Sequence, residues 1–375
     1  MTRSACHPWL TRFAWLTAAA TFLLLGLGGL VTSHEAGLAV PDWPTSYGYN
    51  MFLFPIHLWK ANIFYEHTHR LLASFVGLLT GILAVWLWLR EPRSWLRWLG
   101  AGAFFAVILQ GLLGGLRVIL IQDNLGIFHA ILAQSLFVLV TLIALVSSGK
   151  AGKFAVSLRT TPISRNLYWM IICSASLVLI QLILGATMRH QHAGLAVPDF
   201  PLAYGKVWPP MDAAFLEKIN SQRLGTEQLN SVTAFQIGLQ MAHRFIALSI
   251  VSLVGCVVSK ARREQGAGSL LAKLAVAWWG IMCLQAALGA ATIWSNKAAD
   301  VATAHVLCGA LSFLAGTLLC VDLIIQRRSR RQLVQTPGPA HSEVNGTAQS
   351  PRGPLDALET GAIPELLAAT LKEAQ

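Results

Sequence analysis

Glu66, His67, His69 and Arg70 crowd into five residues at the point where a polar loop runs into a long apolar segment. Each such group at a membrane edge costs free energy unless it finds a partner. A second version, Gln240-Met241-Ala242-His243-Arg244, occupies the matching place in the second half of the chain. Two further histidines, His129 and His305, begin later apolar runs at nearly the same offset from these clusters. Paired imidazoles at one depth on facing helices are what a six-coordinate haem iron needs. Small residues one turn on, Ala73, Ala133, Ala247 and Gly309, leave room for a flat ring. Zinc fits less well, because its usual sites gather four closely spaced Cys and His ligands. A lone membrane histidine is more often a packing hydrogen-bonder, but four at repeat-related positions favour a metal or haem.

The elements that must position these groups are membrane spans. Of 375 residues, 55% are hydrophobic and 12% charged, against roughly 25% charged in a soluble domain. Apolar runs of about 20 residues, enough to cross a bilayer, fall at 13–31, 71–89, 98–116, 127–146, 167–188, 235–258, 274–294 and 301–325. The first is too long for a signal peptide and lacks a small-residue cleavage site. The expected fold is therefore all-α and integral to a membrane, with eight transmembrane helices.

The net charge of +11 does not indicate a nucleic-acid partner, because Lys and Arg gather in alternate connections. Arg90, Arg93 and Arg97, then Lys150, Lys153, Arg159 and Arg165, then Lys260, Arg262, Arg263 and Lys273 follow spans two, four and six. By the positive-inside rule both termini are cytoplasmic, and the loops near 32–65 and 189–234 face outward. None of the six cysteines lies in an outward loop, so no external disulfide framework is expected.

The two outward loops reveal a duplication. HEAGLAVPDWPTSYG from His34 and QHAGLAVPDFPLAYG from Gln191 share AGLAVPD, and LQGLLGG from Leu109 answers LQAALGA from Leu284. Each unit holds an even number of spans, so the repeats are parallel. The chain then divides into two tandem four-helix bundles, 1–160 and 161–331, and a polar, disordered cytoplasmic tail, 332–375. Each loop is a lid fixed by its Pro-Asp-aromatic-Pro run, with both ligand sites near the outer face.

Within this frame Arg70 and Arg244, each following a ligand candidate, either pair with haem propionates or snorkel to headgroups. His34, His57, His67, His190 and His192 read as loop residues, with His67 close to the site. Glu66 precedes His69 by three residues on one helix face, whereas its counterpart Gln240 carries no titratable proton. A carboxylate near a haem-sized substrate can transfer protons or stabilise positive charge. The first unit then reacts and the second transfers electrons.

Over about residues 10–330 the ordered set resembles the haem A synthase family. That set comprises the eight-span duplication, Glu66-x-x-His69-Arg70, the AGLAVPDW loop, His129, His243-Arg244 and His305. The resemblance implies oxidation of the C8 methyl of haem O to the formyl of haem A, for cytochrome oxidase. It implies haem O as substrate on His69 and His129, haem b on His243 and His305, and haem O synthase, a farnesyltransferase, as supplier. It further implies a bacterial inner membrane and an electron donor that the residues do not identify. A cysteine pair found in the first outer loop of a subgroup has no counterpart between Val31 and Tyr65. The alternatives are a non-catalytic di-haem cytochrome exchanging electrons with quinone, and a tandem-repeat transporter.

Overall fold

A computed structural model describes residues 7–148, 163–224 and 231–335. The chain is all-helical, with α1 (Pro8–Ser33), α2 (Ala61–Arg90), α3 (Ser94–Leu120), α4 (Asp123–Ser147), α5 (Arg165–His190), α6 (Ala213–Leu224), α7 (Ala234–Gln265), α8 (Leu270–Trp294) and α9 (Ala299–Gln335). Among the described residues, eight of these are long and apolar enough to cross a bilayer, α6 being the exception. Cys6 and residues 336–375 lie outside the described residues, while 332–335, expected in the tail, continue α9.

Local chemistry sets the ends. Pro8 opens α1, where its missing N–H costs nothing. Thr233 and Gln236 close a reciprocal capping box on α7, and Ser164 and Ser269 cap α5 and α8 through their hydroxyls. α2 stops at Arg90, one residue before the Glu91-Pro92 step. Its start lies further out than the apolar run suggests, so Glu66 to Arg70 are helical residues. An uncharged-run criterion stops short there, because these charges find partners in the loop above.

Helices α1 to α4 pack in a closed ring, each on the next and α4 on α1. Helices α5, α7, α8 and α9 repeat that ring, and α1 and α4 meet α5 and α9 along a shared seam. Leu83, Leu87, Leu96, Val140 and Ile143 fill one core; Leu167, Ile171, Val254 and Trp278 fill the other. At the seam a Cβ on Gly29 would stand 2.9 Å from Thr303 Cγ2, closer than packing permits. Small residues at such crossings let backbones approach where no hydrophobic force drives association. Each span buries at most half its most apolar window, leaving the rest to face lipid.

Candidate functional site

The two outer loops fold by one set of bonds. Asp42 accepts the N–H groups of Tyr47 and Gly48 at 2.7 and 2.8 Å, and Asp199 accepts those of Tyr204 and Gly205 at the same distances. Tyr47 and Tyr204 donate their hydroxyls to Ala39 O and Ala196 O. Both tyrosines take left-handed backbone, followed by Gly48 at φ 76° and Gly205 at φ 73°, a conformation glycine adopts without cost. Burial pushes the Asp42 carboxyl up, but the Gly48 N–H, the Thr45 hydroxyl and the Tyr47 N–H outweigh it and hold its pKa below the usual range.

These loops rest on the helices that carry the chemistry. Glu66, 4% exposed, accepts the Val40 N–H on Oε2 at 2.8 Å and Arg70 on Oε1 at 2.7 Å. Arg70 also donates to the carbonyls of Val40, Asp42 and Thr45. In the second unit Gln240 accepts the Val197 N–H at 2.7 Å and returns its amide to Val197 O. Arg244 donates to the carbonyls of Leu202, Asp199 and Val197. Neither arginine simply snorkels; both clamp a lid.

The four histidines each meet a glycine of the preceding membrane-spanning helix. A Cβ on Gly28, Gly114, Gly185 or Gly289 would stand 3.1 to 3.3 Å from Cε1 of His69, His129, His243 or His305 respectively. That gap is tighter than ordinary van der Waals contact, so a side chain at any of these glycines would push its imidazole by a few tenths of an ångström. Three of the glycines follow a glutamine by four residues. Gln110 and Gln181 donate to the backbone carbonyls of His129 and His243 at 2.8 and 2.9 Å, and Gln285 Nε2 lies 3.5 Å from His305 Nε2. α1 has Leu24 at that place, so His69 alone lacks the glutamine.

The ring nitrogens fit a metal-bearing ligand. Nδ1 of His69 and His243 is buried with no hydrogen-bond partner, an arrangement that costs about 1–3 kcal/mol per orphaned polar atom, whereas Nδ1 of His129 lies 3.2 Å from Gln110 O. The rings of His243 and His305 are 6.4 Å apart between centroids. Two imidazoles on opposite sides of one metal stand roughly 6 Å apart, given metal–nitrogen bonds of about 2.0 Å. Among the described residues no three His, Cys, Asp or Glu converge on one point.

The space beside the imidazoles was expected from Ala73, Ala133, Ala247 and Gly309. Gly309 instead faces Gln285, whose Nε2 would be 3.1 Å from an added Cβ. His67 is fully buried, but under the lid: Ser46 Oγ lies 3.2 Å from its Nδ1, and Phe54 and Trp59 pack on its ring. His34 stacks on Tyr65 at 4.1 Å. His190 crosses the seam to press on Gly126, one turn from His129.

Two cations escaped the reading of charge by connection, because each is isolated at the end of an apolar run. Arg189 donates to Gly29 O and Ser33 Oγ at 2.5 and 2.6 Å, tying α5 to α1. Arg117 lays its guanidinium against Gly37 of the first lid. The lids also differ in one matched pair: Trp43 packs so closely on Gly115 that no Cβ fits there, while Phe200 faces a repeat with Ala290.

A family model described as cytochrome oxidase assembly protein matches residues 54–317. Relatives named haem A synthase resemble the chain over nearly their whole length. That of Shouchella clausii is 28% identical over 86% of this chain and 99% of its own. That of Halalkalibacterium halodurans is 26% identical with the same coverage. That of Beijerinckia indica is 27% identical over 74% of this chain and 83% of its own.

Proposed function

This chain belongs to the cytochrome oxidase assembly protein family, and we propose that within it the chain is a membrane-bound haem A synthase. The relatives' names support the enzyme class. In this reading the enzyme oxidises the C8 methyl of haem O to a formyl group and sits in a bacterial inner membrane with both termini cytoplasmic. Residues 1–160 form the reacting unit and 161–331 the electron-transfer unit. Haem O synthase supplies the substrate.

His69 and His129 would hold the substrate haem, with Gly28 and Gly114 admitting the imidazoles. His243 and His305 would hold haem b, which supplies one-electron redox chemistry when bound. Glu66 offers the one acidic group that distinguishes the two sites. Its carboxylate, kept in place by the Val40 N–H and Arg70, lies one helical turn before His69 and can accept a proton on Oε1 or Oε2, or stabilise positive charge. Arg70 and Arg244 hold the lids over the sites and exclude water, which strengthens electrostatics beneath them.

The observation that carries this reading is the pair Glu66 and Gln240, which make the same loop bond with and without a charge. The same bond gives the relay cytochrome its support, since Gln240 performs the lid function without titrating; family membership favours the synthase. Expression with a haem O source, followed by haem extraction, tests the choice. Haem A or its hydroxylated precursor supports the synthase; haem O with haem b alone supports the relay.

A further inference from the structure

Below His69 the first unit carries an apolar groove of about 550 Å³ between α2 and α3. Gly77, Leu78, Gly81, Ile82, Val85 and Phe104 line most of it, and Arg90 lies at the end away from His69. Gly77 has open space where a Cβ would stand, and Gly81 would meet Phe104 at 3.2 Å. His69, Ala73, Gly77 and Gly81 recur every four residues. At 3.6 residues per turn each step advances about 40° round the helix. This row of small residues therefore winds from the bundle interior at His69 to the seam of α2 and α3, beginning roughly 12 Å below the imidazole.

The second unit closes the same place. Counting from His243 as from His69, Gly77 becomes Val251, and Leu78, Ile82 and Val85 become Ser252, Cys256 and Ser259. Counting from Gln285 as from Gln110, Phe104 becomes Trp279. Trp279 lies over the gap, with its Nε1 donating to Val251 O at 3.1 Å and 3.2 Å from a Cβ placed on Gly255. A duplicated surface that is open and apolar in one copy, and filled and polar in the other, marks what differs between their ligands.

Resting on the reading of the first unit as the substrate site, we propose that this groove receives the farnesyl-derived chain of haem O and thereby sets which edge of the ring meets Glu66. Two imidazoles holding one haem would leave its ring free to turn. A chain fixed to one edge and threaded between α2 and α3 removes that freedom. Lipid is as apolar as the groove, so the groove contributes orientation and passage more than affinity. In this proposal the chain leaves the bundle only through the groove, so filling it blocks binding. The closed groove of the second unit excludes the chain and reserves that site for haem b.

The test titrates the full-length protein, its second unit loaded with haem b, with haem O and separately with further haem b, which lacks the chain. The double variant Gly77→Val/Phe104→Trp copies the second unit. Its affinity for haem O should fall at least tenfold, with haem b held within twofold, while the second-unit spectrum certifies the fold. Equal losses for both haems, or none for haem O, overturn the proposal. The reciprocal variant Val251→Gly/Trp279→Phe should let the second unit take haem O, and its failure to do so while still binding haem b counts against the groove. Haem binding by the native protein that His69→Ala leaves unchanged contradicts the substrate-site reading, and the groove proposal with it.

Discussion

Oε2 of Glu66 accepts the backbone N–H of Val40 at 2.8 Å, so the most suggestive acid in the chain is also a latch on the first lid. Gln240 holds Val197 by the equivalent bond at 2.7 Å. An amide therefore suffices for the latch. Glu66→Gln should leave the lid in place, whereas Glu66→Ala orphans the Val40 N–H and frees Arg70. Removing one partner of a buried charged hydrogen bond costs about 1–3 kcal/mol. Limited proteolysis within residues 34–60 should be faster for Glu66→Ala and unchanged for Glu66→Gln.

The glycine cradle predicts losses of ligand that are confined to one unit. Gly289→Val puts a Cβ 3.2 Å from His305 Cε1 and adds two methyl groups beyond it, and overpacking of this kind costs about 1–3 kcal/mol. The variant should lose the second-unit haem signal and keep the first; Gly114→Val should do the reverse. Optical and spin-resonance spectra of the purified variants read both outcomes.

The repeat, the spans and the four histidines were legible because each leaves a mark in the letters: a repeated heptapeptide, long uncharged runs, and rare polar residues at matching offsets. The cradle was not. A glycine in an apolar span looks like any small residue until the ring opposite it is seen. Gln181 escaped notice because its surroundings are spelled differently from those of Gln110 and Gln285. Arg117 and Arg189 escaped because counting charge by connection passes over single residues inside a run. The destinations of Arg70 and Arg244 required the loop fold, since the carbonyls they bind carry no side-chain signature.

Arg189 spans the two bundles through Gly29 and Ser33. Arg189→Leu removes two charge-assisted bonds across the seam, worth about 1.5–3 kcal/mol each before compensation. The two units should then melt at separate temperatures in a thermal scan, where the native chain melts in one transition.

The first lid carries its own pH dependence. The Asp42 carboxylate is held below its unfolded value of about 3.9. Its contribution is thus fully present above that pH and is lost as pH falls through the lower folded value. At neutral pH the amides of Tyr47 and Gly48 should exchange more slowly in the native chain than in Asp42→Asn. The difference should narrow as pH falls below the unfolded value of about 3.9.

The central claim is that the first unit acts on its haem through Glu66 while the second, with Gln240 in that place, does not. The direct measurement supplies haem O, dioxygen as oxidant and a reductant to the native protein and to Glu66→Gln, then extracts and separates the haems. The native chain should yield haem A or its hydroxylated precursor. Glu66→Gln should return haem O unchanged, with both haem spectra and the lid's protease resistance intact. Full turnover by Glu66→Gln contradicts the account and leaves Glu66 as a latch alone.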